Sequence, residues 1–312
     1  MNALVSMLCR YRTGLERRLT QAPAQVFWKQ CHTLPHEEVH EIIRSNIEAG
    51  RPFCLARLGG VELTIMLWGG NIPLIGRFGL RPPVLYSDTR NGASNAGIRP
   101  RNRNSYREFA KLAFENLKEI DFLAKWNTPL EYAALERTGL RPRFCDGEQV
   151  CPTMANPNNW ALALHGKRVL VVSPFKNSIE RQIPKIRQVW PSLPGNWRAH
   201  FRVQKFPYLI DEDCPQTWQE VWEEMRAVVN AADYDVALFG CGGLGFPLAA
   251  AAKAAGRIGI HLGGQLQFLF GIYGQRHLDQ EWHARWINES WIRPNPKEVA
   301  KSAQRVEGGC YW

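Results

Sequence analysis

The sequence has 312 residues, 45% hydrophobic and 22% charged, which is ordinary for a globular chain and enough for one large domain or two average ones with real cores. No apolar run reaches the roughly 18 residues that a transmembrane helix needs, and the opening MNALVSMLCRYRTGLERRL has no small-residue cleavage site, so no signal peptide is expected. The net charge of +10 suits anionic partners, such as phosphorylated small molecules or a membrane surface. No nucleic-acid motif accompanies the charge, and no nucleic-acid partner is expected.

Residues 1–34 form a basic, helical segment carrying Arg10, Arg12, Arg17 and Arg18, which offers a peripheral contact with anionic lipid or simply an exposed helix face. An α/β domain follows over 35–312. PHEEVHEIIRSNIEAG from Pro35 is a helix stopped at Gly50. PFCLAR (52–57) is a buried strand, and LGGVELTIMLWGG is a turn leading into a helix. Residues 71–100 are rich in Pro, Gly and Asn and read as loop. A helix over 104–120 and a strand at 121–126 come next, then an irregular stretch over 127–165 with one short helix at PLEYAALERTG. KRVLVVS (167–173) is a strand. KNSIERQIPKIRQVW is a helix bent at Pro184. FRVQKF alternates like a strand, PQTWQEVWEEMRAVVNAA is amphipathic, and YDVALFG and RIGIHLG are strands around an alanine-rich helix. GQLQFLFGIYG closes the series as an apolar helix.

Strands alternating with helices predict a mostly parallel, Rossmann-like sheet covered on both faces. The halves meet near 150–166, either as two units joined by CPTMANPNN or as one continuous sheet. The eight cysteines are dispersed, with no C-x-x-C. They are read as reduced thiols of a cytoplasmic protein with no zinc site. His32, His36 and His40 repeat every four residues, in register for a metal or for a solvated helix face.

Gly240, Gly242 and Gly245 have the spacing G-x-G-x-x-G between a strand and a helix. Such a turn allows positive φ and lets a phosphate approach bare amides. A dinucleotide fold also needs an acid about 20 residues on for the ribose. No Asp or Glu stands between Phe246 and Leu278, and His261 occupies that neighbourhood. Hydride transfer loses its support, and packing of helix on strand remains the plain alternative. A second strand-turn-helix site holds Arg57, Gly59, Gly60 and Glu62. The arginine suits a phosphate. The glutamate suits the first turn of a helix, a metal or a proton transfer. The loop NGASNAGIRP adds Asn95, Ala96 and Gly97, with Arg99 behind. All these loops converge at the carboxyl edge of the predicted sheet. The final stretch ends in Gly308-Gly309-Cys310-Tyr311-Trp312. Its aromatics predict docking onto the body, which makes Glu289 and Glu307 candidates for sugar-hydroxyl binding, general base catalysis or plain surface ion pairs.

NPNNWALALHGKRVLVVSPFKNSIERQ, DVALFGCGGLGFPLAAAAKAAGRIGIHLGGQLQFLFGI and WINESWIRPNPKEVAKSAQRVEGGCYW resemble bacterial proteins of the GT-D-type glycosyltransferase superfamily. The resemblance implies a single-sheet enzyme of surface polysaccharide or glycoprotein assembly. It would move a sugar from a nucleotide-sugar donor, such as a UDP-sugar, to a glycan, lipid-linked or protein acceptor. It implies that the donor meets Arg57, Gly59, Gly60, Asn95–Gly97, Gly242, Gly243, Gly245, Gly263, Gly264, Gln265 and Arg293. Glu62, Glu289, Glu307 and His261 are the candidate catalytic groups. The family's first loop reads R-[FY]-G-D-G-E, with a D-x-E pair handling a divalent cation, Mn2+ or Mg2+. Gly60 stands where the family has Asp, leaving Glu62 as the remaining metal ligand. An intact D-x-E at Asp146–Glu148 lies outside that context and is read as a surface turn. The lost Asp keeps open a non-catalytic nucleotide-binding or scaffold role in the same pathway.

Overall fold

In the computed structural model, which describes residues 21–70 and 86–312, one sheet runs through both halves of the chain. The main elements are α1 (His36–Ala49), β1 (Phe53–Ala56), α2 (Gly60–Gly69), α3 (Arg103–Leu117), β2 (Phe122–Lys125), α4 (Pro129–Thr138) and β3 (Arg143–Asp146), then β4 (Arg168–Ser173), α5 (Lys176–Gln182), β5 (His200–Lys205), α6 (Trp218–Ala231), β6 (Val236–Phe239), α7 (Gly245–Ala254) and β7 (Ile258–His261). The spatial order is β3-β2-β1-β7-β6-β4-β5, and every pairing is parallel. β1 lies between β2 and β7, so the halves share one sheet and are not two separate units.

The apolar runs explain the layering. Successive side chains on a strand face opposite ways. In β4, Leu170 and Val172 enter one core, while Val169 and Val171 enter the other. Ala237 and Phe239 of β6 join the first core, and Val236 and Leu238 the second. The first is covered by α2, α3, α6 and α7, and the second by α1, α5 and the segments around Trp160 and Phe268. Gly259 in β7 permits this packing: a Cβ there would meet the Ala249 carbonyl of α7 at 2.1 Å. The outer strand β5 is different, with His200, Arg202 and Lys205 exposed.

Several expectations are corrected. CPTMANPNN is not a free linker: Asn159 donates to the Cys151 carbonyl at 2.9 Å, and the fully buried Trp160 donates to Val150 at 3.0 Å. β3 lies inside the stretch read as irregular. It is a four-residue edge strand with its two ends exposed, too short to show a period. The helix expected over GQLQFLFGIYG stops at Leu269, and Gly271 turns the chain with φ 67°. His32 lies outside α1, and its neighbour Thr33 bridges to Phe144 of β3. His36 and His40 do meet, Nε2 to Nε2 at 3.1 Å, while Nδ1 of the buried His40 accepts from the Trp160 amide. That makes the second a packed core residue. Trp28, within the helical stretch 21–30, packs edge-on against Phe144 at 5.7 Å. Arg10, Arg12, Arg17 and Arg18, and residues 71–85 of the expected loop, lie outside the described residues. Among the described residues no helix is long and apolar enough to cross a membrane.

Candidate functional site

The turns that follow β1, β4, β5, β6 and β7 open onto one cavity of about 450 Å³ at the carboxyl edge of the sheet. Its wall contains Arg57, Gly59, Gly60, Glu62, Asn95, Ala96, Gly97, Gly242, His261, Gly263, Gly264 and Glu307. The expected residues therefore come together, with six exceptions. Gly243 and Gly245 stand behind the wall, and so does Gln265, whose Nε2 donates to Glu148 Oε2 at 2.9 Å. Glu289 is exposed and not on the wall. Arg293 is also exposed: it lies over the Tyr273 ring and donates to the Trp312 carbonyl at 2.9 Å, bracing a residue of the wall from outside. Arg99, noted behind the Asn95–Gly97 loop, spends its guanidinium on the Asp211 and Glu212 carbonyls.

The three glycines of the motif serve three purposes. Gly240 lets β7's turn approach: a Cβ there would stand 2.9 Å from the Gly263 carbonyl. Gly242, with φ 55°, turns the chain at the wall. Gly245 makes room for an imidazole, since its Cβ would lie 2.4 Å from His261 Cδ2. The amides behind this turn are already bonded. Gly243 donates to the Ala96 carbonyl at 2.9 Å and Gly245 to that of Gly242. The motif thus gives less anion-binding backbone than its pattern suggests.

Arg57 and His261 clasp the ends of β1 and β7. Arg57 donates to the Leu262 carbonyl at 2.8 Å and lies over the Trp126 ring at 4.6 Å. His261 Nδ1 lies 3.1 Å from the Arg57 carbonyl, which requires the Nδ1–H tautomer and leaves Nε2 as the basic nitrogen. Burial, then the Arg57 charge, pushes His261 down to about 3. The ring is neutral at pH 7 and a weak base. Burial lowers the Arg57 pKa too, but a guanidinium has enough margin to stay charged.

Glu62 folds back over the start of α2, so that a Cβ on Gly59 would touch its Oε2 at 2.2 Å. Its Cγ lies near Gly243, between the β1 and β6 turns. Burial raises its pKa, and the Glu307 charge adds to the rise. A carboxylate of raised basicity facing a cavity is a fit for taking a proton. Among the described residues, Glu62 and Glu307 are the carboxylates on the wall, and no group of three His, Cys, Asp or Glu could hold a metal ion. This donor set does not fit the expected Mn2+ or Mg2+, because one of its two acids is raised in pKa and folded onto its own helix. Asp146 and Glu148 stand at the same sheet edge without replacing it. Asp146 pairs with Lys125 Nζ at 3.0 Å, and Glu148 receives Gln265.

Sequence reasoning missed Arg276, a second guanidinium on the wall, which lies 4.8 Å over the Tyr311 ring. The expected docking of the last aromatics is observed. Tyr311 packs where Gly264 and Gly274 have no side chains, a Gly264 Cβ being 2.0 Å from its ring. Gln267 Nε2 donates to the Tyr311 carbonyl at 3.1 Å. Spacing alone gives no signal for Arg276, since its place depends on residues 306–312 coming back over it.

The site is a cavity at the carboxyl edge of a parallel sheet, with two guanidiniums and two carboxylates on its wall among the described residues. The chain matches no protein-family model, no curated protein and no solved structure.

Proposed function

We propose that the protein is a glycosyltransferase that takes a sugar from a nucleotide-diphosphate donor, with a cell-surface glycan, lipid-linked glycan or glycoprotein as acceptor. The observation that supports this reading is the convergence of Arg57, Glu62, Asn95–Gly97 and the Gly242 and Gly263–Gly264 turns on one cavity. Sugar transfer leaves negative charge on the departing diphosphate. Arg57 and Arg276 would hold it, in a site where desolvation strengthens the attraction. Glu62 would receive the proton of the acceptor hydroxyl. It is the better base: His261 is too acidic, and Glu307 is exposed. The sugar's anomeric carbon then exchanges its phosphate oxygen for the acceptor oxygen, and the nucleoside diphosphate leaves.

Incubation with a panel of nucleotide-sugars, with and without manganese, tests this by release of nucleoside diphosphate. Release by the wild-type chain and loss in Glu62→Gln supports it; no release from any donor removes it. One observation favours a second reading, a non-catalytic nucleotide-binding member of an assembly pathway: the Glu62 carboxylate already covers the start of α2. Tight binding of a nucleotide-sugar without turnover would establish that reading instead.

A further inference from the structure

We infer that the wall built by Phe175, Tyr208 and Trp312 is a nucleobase subsite, with residues 306–312 supplying part of the ligand's recognition. The inference rests on the donor reading above and adds where the base is held. All three rings line the cavity. Phe175 follows β4, Tyr208 follows β5, and Trp312 comes from the last segment. Their planes are tilted by 65° between Phe175 and Trp312 and by 49° between Tyr208 and Trp312, at centroid distances of 6.3 and 6.4 Å. None of these pairs is stacked in parallel.

One residue, Glu298, bonds two of these rings and the start of the helix that follows the third. Glu298 is 3% exposed. Its carboxylate accepts from the Asn177 amide at 2.5 Å and from the Ser178 amide at 2.9 Å, at the start of α5 just beyond Phe175. Its backbone carbonyl accepts from the Tyr208 hydroxyl and, at 3.2 Å, from Trp312 Nε1. The indole and phenol polar ends are thus bonded away, and the rings present apolar surface. Gln267, also on the wall and 2% exposed, holds the adjoining Tyr311 carbonyl through its Nε2.

The sheet sets the spacing. β4 lies three strands from β1, so Phe175 and Arg57 leave the sheet about 14 Å apart. A base, joined through a ribose to a diphosphate at Arg57, reaches that wall, and bases stack on aromatic faces.

The test is calorimetric titration of the whole chain with inorganic pyrophosphate, UDP, ADP and a UDP-sugar, on wild type, Trp312→Leu and Trp312→Phe. UDP or ADP should bind the wild type at least about tenfold more tightly than pyrophosphate. Trp312→Leu should lose most of that advantage with pyrophosphate unchanged, and Trp312→Phe should restore it. Thermal melts identify any variant that fails to fold, and the wild-type ratio of UDP and ADP affinity to pyrophosphate affinity then decides. Equal affinity of wild type for pyrophosphate and nucleotides overturns the base subsite while leaving the anion site intact. Loss confined to the UDP-sugar makes the wall a sugar platform and also overturns it. Wild type that binds none of the four removes the donor reading itself.

Discussion

Replacing Gly245 with alanine probes whether this glycine serves packing or a ligand. The new Cβ would lie 2.4 Å from Cδ2 and 2.5 Å from Nε2 of His261, whereas carbon contacts are comfortable only from about 3.5 Å. The ring has little freedom to retreat, being 9% exposed with Nδ1 tied to the Arg57 carbonyl. Overpacking of this kind costs about 1–3 kcal/mol. Against it stands the gain of alanine over glycine at a helical φ of −61°, about 0.5–1 kcal/mol. Gly245→Ala is therefore expected to lose up to about 2.5 kcal/mol. In a His261→Ala background the same change should stabilise by about 0.5–1 kcal/mol. Urea titration of the four chains gives the coupling between the sites, expected at about 1–3 kcal/mol. Strictly additive effects would refute the reasoning, because the clash is the only term that both residues share.

Glu62→Gln should lower donor turnover by about a hundredfold or more while melting stays near wild type, since the amide keeps the shape and loses the base. Arg276→Ala should weaken pyrophosphate binding, measured by calorimetry, and steepen no salt dependence; unchanged affinity would remove it from the anion site. Stability should fall on acidification. His40, His261, His277 and His283 are buried and pushed down to about 4, 3, 3 and 4. The folded state refuses protons that the unfolded chain accepts, so stability present above about pH 6.5 is lost as pH falls towards 4–3. Each imidazole contributes a loss of about 1 kcal/mol between pH 7 and 5.5. Glu131, pushed up to about 7 by burial, gains stability over the same window, and Glu62, also raised by burial, acts in the same direction, but these are two groups against four. Urea midpoints that rise between pH 7 and 5.5 would contradict this balance.

The parallel sheet was legible because β4, β6 and β7 are continuous apolar runs between helical periods. β3 was not, since two buried residues in four carry no pattern. The turns after β1, β6 and β7 could be read from their glycines, and they do meet. What the glycines are for could not be read. Gly245 answers to His261, sixteen positions away, and Gly264 to Tyr311. Those contacts exist only after the sheet brings its edges together. Arg276, Tyr208 and Phe175 were invisible for the same reason. Glu289 looked like a site residue because it precedes a docked segment, and Arg293 because the resemblance implied a donor-binding arginine there, yet the chain passes outside the cavity at that point.

The exposed charges on β5 bear on how copies of the protein meet. An outer strand offers a row of free amides and carbonyls to any neighbour's strand. Two such edges brought together here would place Arg202 and Lys205 against their own duplicates, in a protein already carrying an excess of ten positive charges. Joining sheets edge to edge is disfavoured by that repulsion, and added salt, by shielding it, would relax the barrier.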